Sequence, residues 1–177
     1  MEKQANNLQN KIFIKLSSVA LLICTLFFTF SANAQNLTLG AERLDAYLPL
    51  IKNKKVGVVG NQTSLIGNTH LVDSLLNLRI DVVKIFSPEH GFRGKADAGA
   101  KVESGTDSKT GLPIISLYGK NKKPTKEQLK GLDMLIFDIQ DVGARFYTYI
   151  SSLHYVMEAC AEAGIPLLIL DRPNPNG

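Results

Sequence analysis

The sequence predicts a doubly wound α/β domain built on a mostly parallel β-sheet. Short β-branched and apolar runs alternate with segments of helical periodicity along most of the chain. These runs are apolar throughout, which is typical of strands covered by helices on both faces of a sheet. Since crossovers between parallel strands are right-handed, such an alternation produces a doubly wound sheet.

The predicted elements begin near residue 41 and continue almost to the end of the chain. Thr125 and Gln128 form a capping-box pattern that opens a short helix. Gly164 is placed to end the last helix in a left-handed conformation. The predicted strands are 55–60, 80–86, 112–118, 132–138 and 166–170, and the longer predicted helices are 41–51, 68–78 and 147–163.

The first 34 residues have the pattern of a cleavable secretory signal peptide. Lys11 and Lys15 precede an apolar stretch over 16–30, and small residues lead up to Ala34. The apolar stretch is shorter than the roughly 20 residues that a spanning helix needs. The sequence therefore predicts a signal peptide over 1–34 and a catalytic domain over 35–177. We expect a periplasmic or secreted protein with no stable membrane insertion after cleavage.

Charge and cysteine content exclude several classes of protein. The chain has 20 Lys and Arg against 16 Asp and Glu, a net charge of +4. Several of the basic residues lie in the predicted signal peptide, so the remaining domain is only slightly basic and nucleic acid is not an expected partner. Cys24 also lies in that segment, which leaves Cys160 alone. A disulfide framework and a Cys-x-x-Cys zinc site are thereby excluded.

Polar residues are concentrated directly after the predicted strands. In open α/β sheets, ligands bind beyond the carboxyl ends of the strands. Buried polar groups cost free energy unless they are paired, so this concentration predicts a lined pocket. Asn61 follows the first strand, Glu89, His90 and Arg93 follow the second, Asp138, Asp141, Arg145 and Tyr147 follow the fourth, and Asp171 follows the fifth.

The residue types in this predicted pocket suit a sugar better than a nucleotide. No Gly-x-Gly-x-x-Gly follows the first strand, and neither a P-loop lysine nor a Gly-x-Ser-x-Gly elbow occurs, so no cofactor is expected. Glycoside hydrolysis needs a protonated carboxyl, and Glu89 is the best placed. His90 would raise its acidity if charged, or orient it if neutral. A second carboxylate could come from Asp138, Asp141 or Asp171.

Two alternatives use the same residues. Glu89, His90, Asp138, Asp141 and Asp171 together would suit Mg²⁺, Mn²⁺ or Zn²⁺ in a metal-dependent hydrolase. However, adjacent Glu and His side chains rarely reach one ion, and no H-x-H or H-E-x-x-H motif occurs, so no metal site is expected. The other alternative is a sugar- or cell-wall-binding module without catalysis.

The remaining titratable residues are interpreted as structural. His70 lies at the start of a predicted helix, His154 lies beside an apolar stripe, and Cys160 lies on an apolar helical face. Five lysines are expected on a solvated helix face: Lys120, Lys122, Lys123, Lys126 and Lys130.

Five sequence blocks resemble one known family. They read GVVGNQTS, FSPEHGFRG, TGLPIISLYG, DIQDVGARFYTY and DRPNPNG. Blocks of this kind occur in this order in the NamZ-type exo-β-N-acetylmuramidases, formerly a domain of unknown function. The resemblance covers roughly residues 40–177. It implies a Rossmann-like N-terminal domain, followed in the family by a smaller C-terminal domain across a cleft. Because the sequence ends at Gly177, we expect it to represent a truncated N-terminal portion.

The resemblance also implies a function. Family members are exported glycoside hydrolases that remove terminal N-acetylmuramic acid from the non-reducing end of peptidoglycan fragments. The expected substrate is therefore a peptidoglycan-derived amino sugar, and half a cleft is expected to bind it weakly. By resemblance Glu89 is the leading catalytic residue. The residues implied to line the pocket are Asn61, His90, Arg93, Asp141, Arg145 and Tyr147.

Overall fold

The computed structural model describes residues 37–94 and 104–176, together with Lys15. The predicted signal peptide otherwise lies outside the described residues. The chain divides into two units, 1–37 and 38–177, and the second contains the predicted sheet. Within the described ranges, no helix combines the length and apolarity needed to cross a membrane.

The second unit is built on a six-stranded sheet, whose strands are β1 Lys55–Gly60, β4 Asp81–Ser87, β5 Gly105–Thr106, β6 Pro113–Ser116, β7 Met134–Asp138 and β8 Leu167–Ile169. A separate antiparallel hairpin is formed by β2 Leu65–Ile66 and β3 Thr69–His70. The order of strands in the sheet is β5-β6-β4-β1-β7-β8. All neighbouring strands of the sheet are parallel except β5, which is antiparallel to β6. The mostly parallel α/β fold predicted from the sequence is confirmed.

The strand register aligns the carboxyl ends of the strands at one edge. Gly60 of β1 pairs with Asp138 of β7, and Ser87 of β4 pairs with Ser116 of β6. From β1 the chain adds β4 and β6 on one side, then returns to add β7 and β8 on the other. The strand order therefore reverses between β1 and β7, where α/β sheets open a crevice for ligands.

Four helices and one 3₁₀ turn connect the strands. The helices are α1 Leu44–Ile51, α2 Leu71–Asn77, α3 Lys126–Leu129 and α4 Tyr149–Ala163, and the 3₁₀ turn is Gly40–Glu42. Thr125 and Gln128 form the predicted capping box, and Gly164 ends α4 with φ +68°. The helix predicted over 68–78 begins later, because His70 belongs to the hairpin and caps α2 by accepting a hydrogen bond from the Val72 amide.

Successive residues of the strands pack on opposite faces of the sheet. Val58 and Ile136 belong to a core cluster with α1 and α2, whereas Val59 and Phe137 belong to a second cluster with α4. Cys160 is buried in the second cluster, as the sequence predicted. The sheet is thus covered on both faces, which explains why its strands are apolar throughout.

Candidate functional site

Glu89 lies in a tight turn just after β4. The next residue, His90, has φ +71°, and Gly91 has φ +78°. The left-handed region is uncommon for residues with a Cβ, although histidine enters it more readily than most. Phe92 is buried and packs edge-on against the His70 ring, with 4.4 Å between centroids. This apolar anchor fixes the far end of the turn that carries Glu89.

Glu89 lies between two cavities at the carboxyl edge of the sheet. The lysine cavity, about 270 Å³, is lined by Glu89, Leu117, Tyr118, Lys122, Thr148, Ser151, Ser152 and Tyr155. The aromatic cavity, about 260 Å³, is lined by Glu89, His90, Phe146, Tyr147, Thr148 and Tyr149. Glu89 and Thr148 belong to both, so the carboxylate is accessible from either side.

Tyrosines line both cavities that contain Glu89. A hydrogen bond to Glu89 raises the pKa of Tyr118, which keeps its phenol protonated and able to donate. Burial raises the pKa of Tyr149, and the nearby charges of Glu89 and Tyr147 act in the same direction. The rings of Tyr147 and Tyr149 lie 6.3 Å apart. Hydroxyl groups thus line both cavities beside Glu89, and within the described part of the chain Lys122 is the one lysine or arginine in either lining.

Asn61 lies behind Tyr149 and is fully buried. Its Oδ1 accepts hydrogen bonds from the Thr63 amide at 2.9 Å and the Thr63 hydroxyl at 2.7 Å. Its Nδ2 has no hydrogen-bond partner among the described residues. The Asn61 amide partly offsets the raised pKa of Tyr149, which places the two side chains in mutual reach.

His70 is structural, as the sequence indicated. Its Nε2 donates to the Asn61 carbonyl at 3.0 Å, and its Nδ1 accepts from the Val72 amide at 3.3 Å. Burial lowers the pKa of His70, which favours the neutral ring that this pattern of donation requires. His70 thus fixes the backbone of Asn61.

Asp138, predicted to bind substrate, forms a buried ion pair. Arg172 reaches its carboxylate through Nε at 2.5 Å and Nη2 at 3.0 Å, and Nη2 also donates to the Leu65 carbonyl at 2.8 Å. Burial raises the pKa of Asp138, and Arg172 opposes this increase. The pair joins the ends of β7 and β8 to the β2–β3 hairpin.

Two other predicted carboxylates line a third, smaller cavity. Asp141 and Asp171 lie there with Tyr149 and Arg172, around a volume of about 130 Å³. Tyr149 also lines the aromatic cavity, so the two cavities adjoin at its ring. Asp141 is half-buried and Asp171 is exposed, while Arg145 lies exposed in the loop between β7 and α4.

Arg93 is committed to a cluster of carboxylates. Its Nε and Nη2 each lie 2.7 Å from an Asp107 oxygen, and its Nη2 lies 3.0 Å from Asp73. Lys109 also reaches Asp73, at 2.7 Å. The hydrogen bonds from Arg93 hold the pKa of Asp107 well below its usual range. This cluster ties α2 to the Glu89 turn and to the segment before β6, and Arg93 lines neither cavity that contains Glu89.

The structure therefore divides the predicted site residues. Glu89, His90 and Tyr147 meet in the aromatic cavity, with Asn61 behind it, whereas Arg93 and Asp138 are bound in ion pairs elsewhere. Among the described residues, no three His, Cys, Asp or Glu side chains gather as a metal-binding group. Of the five residues considered as metal ligands, Glu89 and His90 share the aromatic cavity, Asp141 and Asp171 share the third cavity, and Asp138 is paired with Arg172.

Sequence reasoning missed Tyr118, Lys122 and Arg172. Tyr118 lies inside the predicted strand 112–118, whereas β6 ends at Ser116, so Tyr118 follows the strand. Lys122 was expected on a solvated helix face, but α3 begins only at Lys126, so Lys122 lies in the preceding loop and lines a cavity. Arg172 could have been found by asking which cation neutralises an aspartate at the end of the most apolar strand.

Comparison with known proteins shows the family. The family model described as exo-beta-N-acetylmuramidase NamZ, N-terminal, matches residues 56–177. The peptidoglycan beta-N-acetylmuramidase NamZ of Bacillus subtilis (strain 168) is 53% identical over 138 residues, which cover 76% of this chain and 33% of that protein.

Two crystal structures of DUF1343 family proteins from Bacteroides fragilis NCTC 9343 share the fold. One has a TM-score of 0.67 and 51% identity, the other a TM-score of 0.71 and 42% identity. Each match covers 78% of this chain and 35% of the other. The chain therefore spans about a third of the length of these relatives. Since the family match extends over more than half of its residues, the chain belongs to the NamZ exo-β-N-acetylmuramidase family and corresponds to its N-terminal part.

Proposed function

We propose that this protein is an exo-acting glycoside hydrolase that releases terminal N-acetylmuramic acid from peptidoglycan fragments. The B. subtilis relative is named a peptidoglycan β-N-acetylmuramidase. The observation that carries the proposal is the position of Glu89 between two cavities. A glycosidic bond that crosses Glu89 would place one sugar in each cavity and its bridging oxygen beside the carboxyl group.

In this proposal Glu89 is the general acid. It protonates the bridging oxygen as the bond to the terminal sugar breaks, which is the step that needs a carboxyl group in glycoside hydrolysis. His90, next to it in the turn, orients the carboxyl group. Tyr118 lines the same cavity as Glu89, and we assign its hydroxyl to hold the carboxyl group in place.

The aromatic cavity supplies surfaces suited to sugar rings. Phe146 is 94% exposed and Tyr147 is 50% exposed, although both are large and largely apolar. Exposed aromatic residues beside a polar cavity indicate a binding surface. We propose that Tyr147 and Phe146 cover the apolar face of a sugar. Asn61 would stabilise this side of the aromatic cavity by contacting Tyr149.

Of the carboxylates that the sequence left open, Asp141 has the best support as the second one. Asp138 is buried and neutralised by Arg172. Asp141 is half-buried and lies in a cavity that adjoins the aromatic cavity at Tyr149. Asp171 and Arg145 are then assigned to the outer parts of the binding region. Arg93, which is bound to Asp73 and Asp107, is left out of it.

The experiment that tests this function is Glu89→Gln in the protein made from its complete coding sequence. With a muramic-acid-terminated disaccharide as substrate, kcat for release of N-acetylmuramic acid should fall about 10²- to 10⁴-fold, because the acid is lost. The melting temperature should stay within error, since Glu89 has no cationic partner in the described residues. Glu127→Gln, an exposed glutamate on α3, is the matched control and should change neither.

Three results would point elsewhere. Unchanged turnover in Glu89→Gln would remove Glu89 from the mechanism. Tight binding of the disaccharide by the wild-type protein without any cleavage would support a binding module. Activity that a chelator abolishes and added Mg²⁺, Mn²⁺ or Zn²⁺ restores would support a metal-dependent hydrolase.

We also propose that the protein is exported to the periplasm or secreted after cleavage of residues 1–34. This follows from the sequence pattern alone. N-terminal sequencing of the mature protein should begin at Gln35, and a mature protein that retains Lys11 would refute the proposal.

A further inference from the structure

The two cavities beside Glu89 differ in charge. The aromatic cavity contains His90 and three aromatic rings. In the lysine cavity, Lys122 is the sole cation among the lining residues, and it is accompanied by five hydroxyl-bearing side chains. The lysine cavity is therefore the side of Glu89 that suits an anionic, hydroxylated group.

Local contacts leave the charge of Lys122 available. The adjacent Lys123 is bound to α4 through ion pairs with Glu162 at 2.8 Å and Glu158 at 3.3 Å. These ion pairs hold the loop before α3 against α4. The preceding residue, Lys122, lines the lysine cavity. Within the described residues, Lys122 forms no ion pair, so its ammonium is free to meet a ligand.

A second polar cavity with cations does not offer the same chemistry. It has a volume of about 310 Å³ and includes Arg93 and Lys109 among its lining. Arg93 is already bonded to Asp73 and Asp107, and Lys109 to Asp73. Glu89 is not among its lining residues. An anionic substrate group near the proposed acid would therefore meet Lys122.

We propose that Lys122 binds the carboxylate of the terminal acidic sugar and so selects muramic acid over neutral amino sugars. This inference rests on the proposed function. Muramic acid differs from glucosamine by a lactyl ether that ends in a carboxylate, and an ammonium group is its natural partner.

The inference assigns the two cavities. The lysine cavity takes the sugar that is released, with its hydroxyl groups against Tyr118, Ser151 and Tyr155. The aromatic cavity takes the next sugar of the fragment, which carries no lactyl group. Glu89 and Thr148, shared by both cavities, lie beside the bond between them.

The test is Lys122→Met in the protein made from the complete coding sequence, assayed with a matched pair of substrates. One is an aryl β-glycoside of N-acetylmuramic acid, and the other is the same compound with its lactyl carboxylate converted to the amide. On the acid, kcat/KM should fall about 10- to 100-fold, mainly through KM, because one charge-assisted hydrogen bond is lost. On the amide it should change less than about twofold, and Lys122→Arg should restore most of the loss.

Lys120→Met, in the same loop and exposed, is the control and should behave as the wild type on both substrates. Equal losses on acid and amide, or no loss on either, would overturn the role of Lys122 while leaving the proposed function intact. Wild-type protein that cleaves neither glycoside, under conditions where it is folded, would overturn the proposed function and this inference together.

Discussion

Two carboxylates at the same edge of the sheet, Glu89 and Asp138, have opposite surroundings. Asp138 ends β7, is 0% exposed and is held by two hydrogen bonds from Arg172. Glu89 lies two residues beyond β4, is half-buried and opens into two cavities among tyrosine hydroxyls. Both residues gave the same signal in the sequence, a carboxylate after an apolar strand. Their environments separate a carboxylate that is neutralised within the fold from one whose oxygens are open to a ligand.

The difference follows from the free energy of burying charge. A carboxylate without access to water needs a cation, and that cation then occupies the lone pairs that a substrate would use. A carboxylate in an open cavity needs no such partner and keeps its oxygens available. The neutral side chain of Tyr118 lines the cavity beside Glu89 and adds no charge to it. The Asp138–Arg172 ion pair stabilises the fold at this edge of the sheet. Glu89, which is open to two cavities, carries out the chemistry that we propose.

The largest expected effect is on stability, from Asp138→Ala. This change leaves Arg172 buried without its partner, and the free energy of unfolding should fall by about 3–5 kcal/mol. Urea denaturation followed by circular dichroism measures the loss. Glu89→Ala should change the same quantity by less than about 1 kcal/mol, since no buried charge is left unpaired.

Asp171→Ala provides the matched control for this comparison, because Asp171 follows the neighbouring strand but is exposed. Its effect should be as small as that of Glu89→Ala. If Glu89→Ala destabilised the fold as much as Asp138→Ala, the two carboxylates would not differ in the way described, and Glu89 would be part of the frame.

A second, smaller effect should come from the ion cluster beneath the Glu89 turn. Arg93→Met removes the guanidinium that holds the pKa of Asp107 low. In the wild type the same guanidinium also lowers the pKa of Asp73. Lost hydrogen bonds to charged groups predict a decrease of about 1.5–3 kcal/mol in unfolding free energy at neutral pH. Arg145→Met, an exposed arginine, should change it little.

The pH dependence of this variant sharpens the prediction. A carboxylate whose pKa is lowered by folding contributes stability above its unfolded pKa and loses it as pH falls through the folded value. The difference in unfolding free energy between the wild type and Arg93→Met should therefore have its full size at about pH 7 and shrink below about pH 4. Denaturation curves across this range measure that difference. If the difference stayed constant with pH, Arg93 would stabilise the fold by packing alone.

Much of the fold followed from the sequence because it depends on local and periodic patterns. The strand 55–60 was predicted with its observed bounds, and the caps at Thr125 and Gly164 are confirmed. The error in the start of α2 has a physical cause. The turn at Gly67 and Asn68 makes a hairpin of two residues per strand, too short to show alternation.

The site was less predictable, because pairing between distant side chains leaves no periodic signal. Arg172 and Asp138 are 34 positions apart, and Arg93 and Asp73 are 20 apart. Each residue taken alone resembles a pocket residue, and only the fold shows that it is already neutralised. Proximity to the strand ends led to Glu89, which does line a cavity, but it did not distinguish residues that face a cavity from those that join two loops.

The smallest expected effect tests whether His90 acts through its ring or through its backbone. His90 has φ +71°, which asparagine and glycine adopt readily and alanine does not. His90→Ala should therefore lower the unfolding free energy by about 1 kcal/mol, whereas His90→Asn and His90→Gly should stay near the wild type. If the imidazole orients Glu89, all three variants should lose kcat by about tenfold, which corresponds to about 1.4 kcal/mol in the activation free energy.

Steady-state kinetics and thermal denaturation of the three His90 variants separate the role of the ring from that of the backbone. Full activity in His90→Asn together with a loss in His90→Ala would show that the turn needs only its left-handed backbone, and that Glu89 relies on the tyrosines for its orientation.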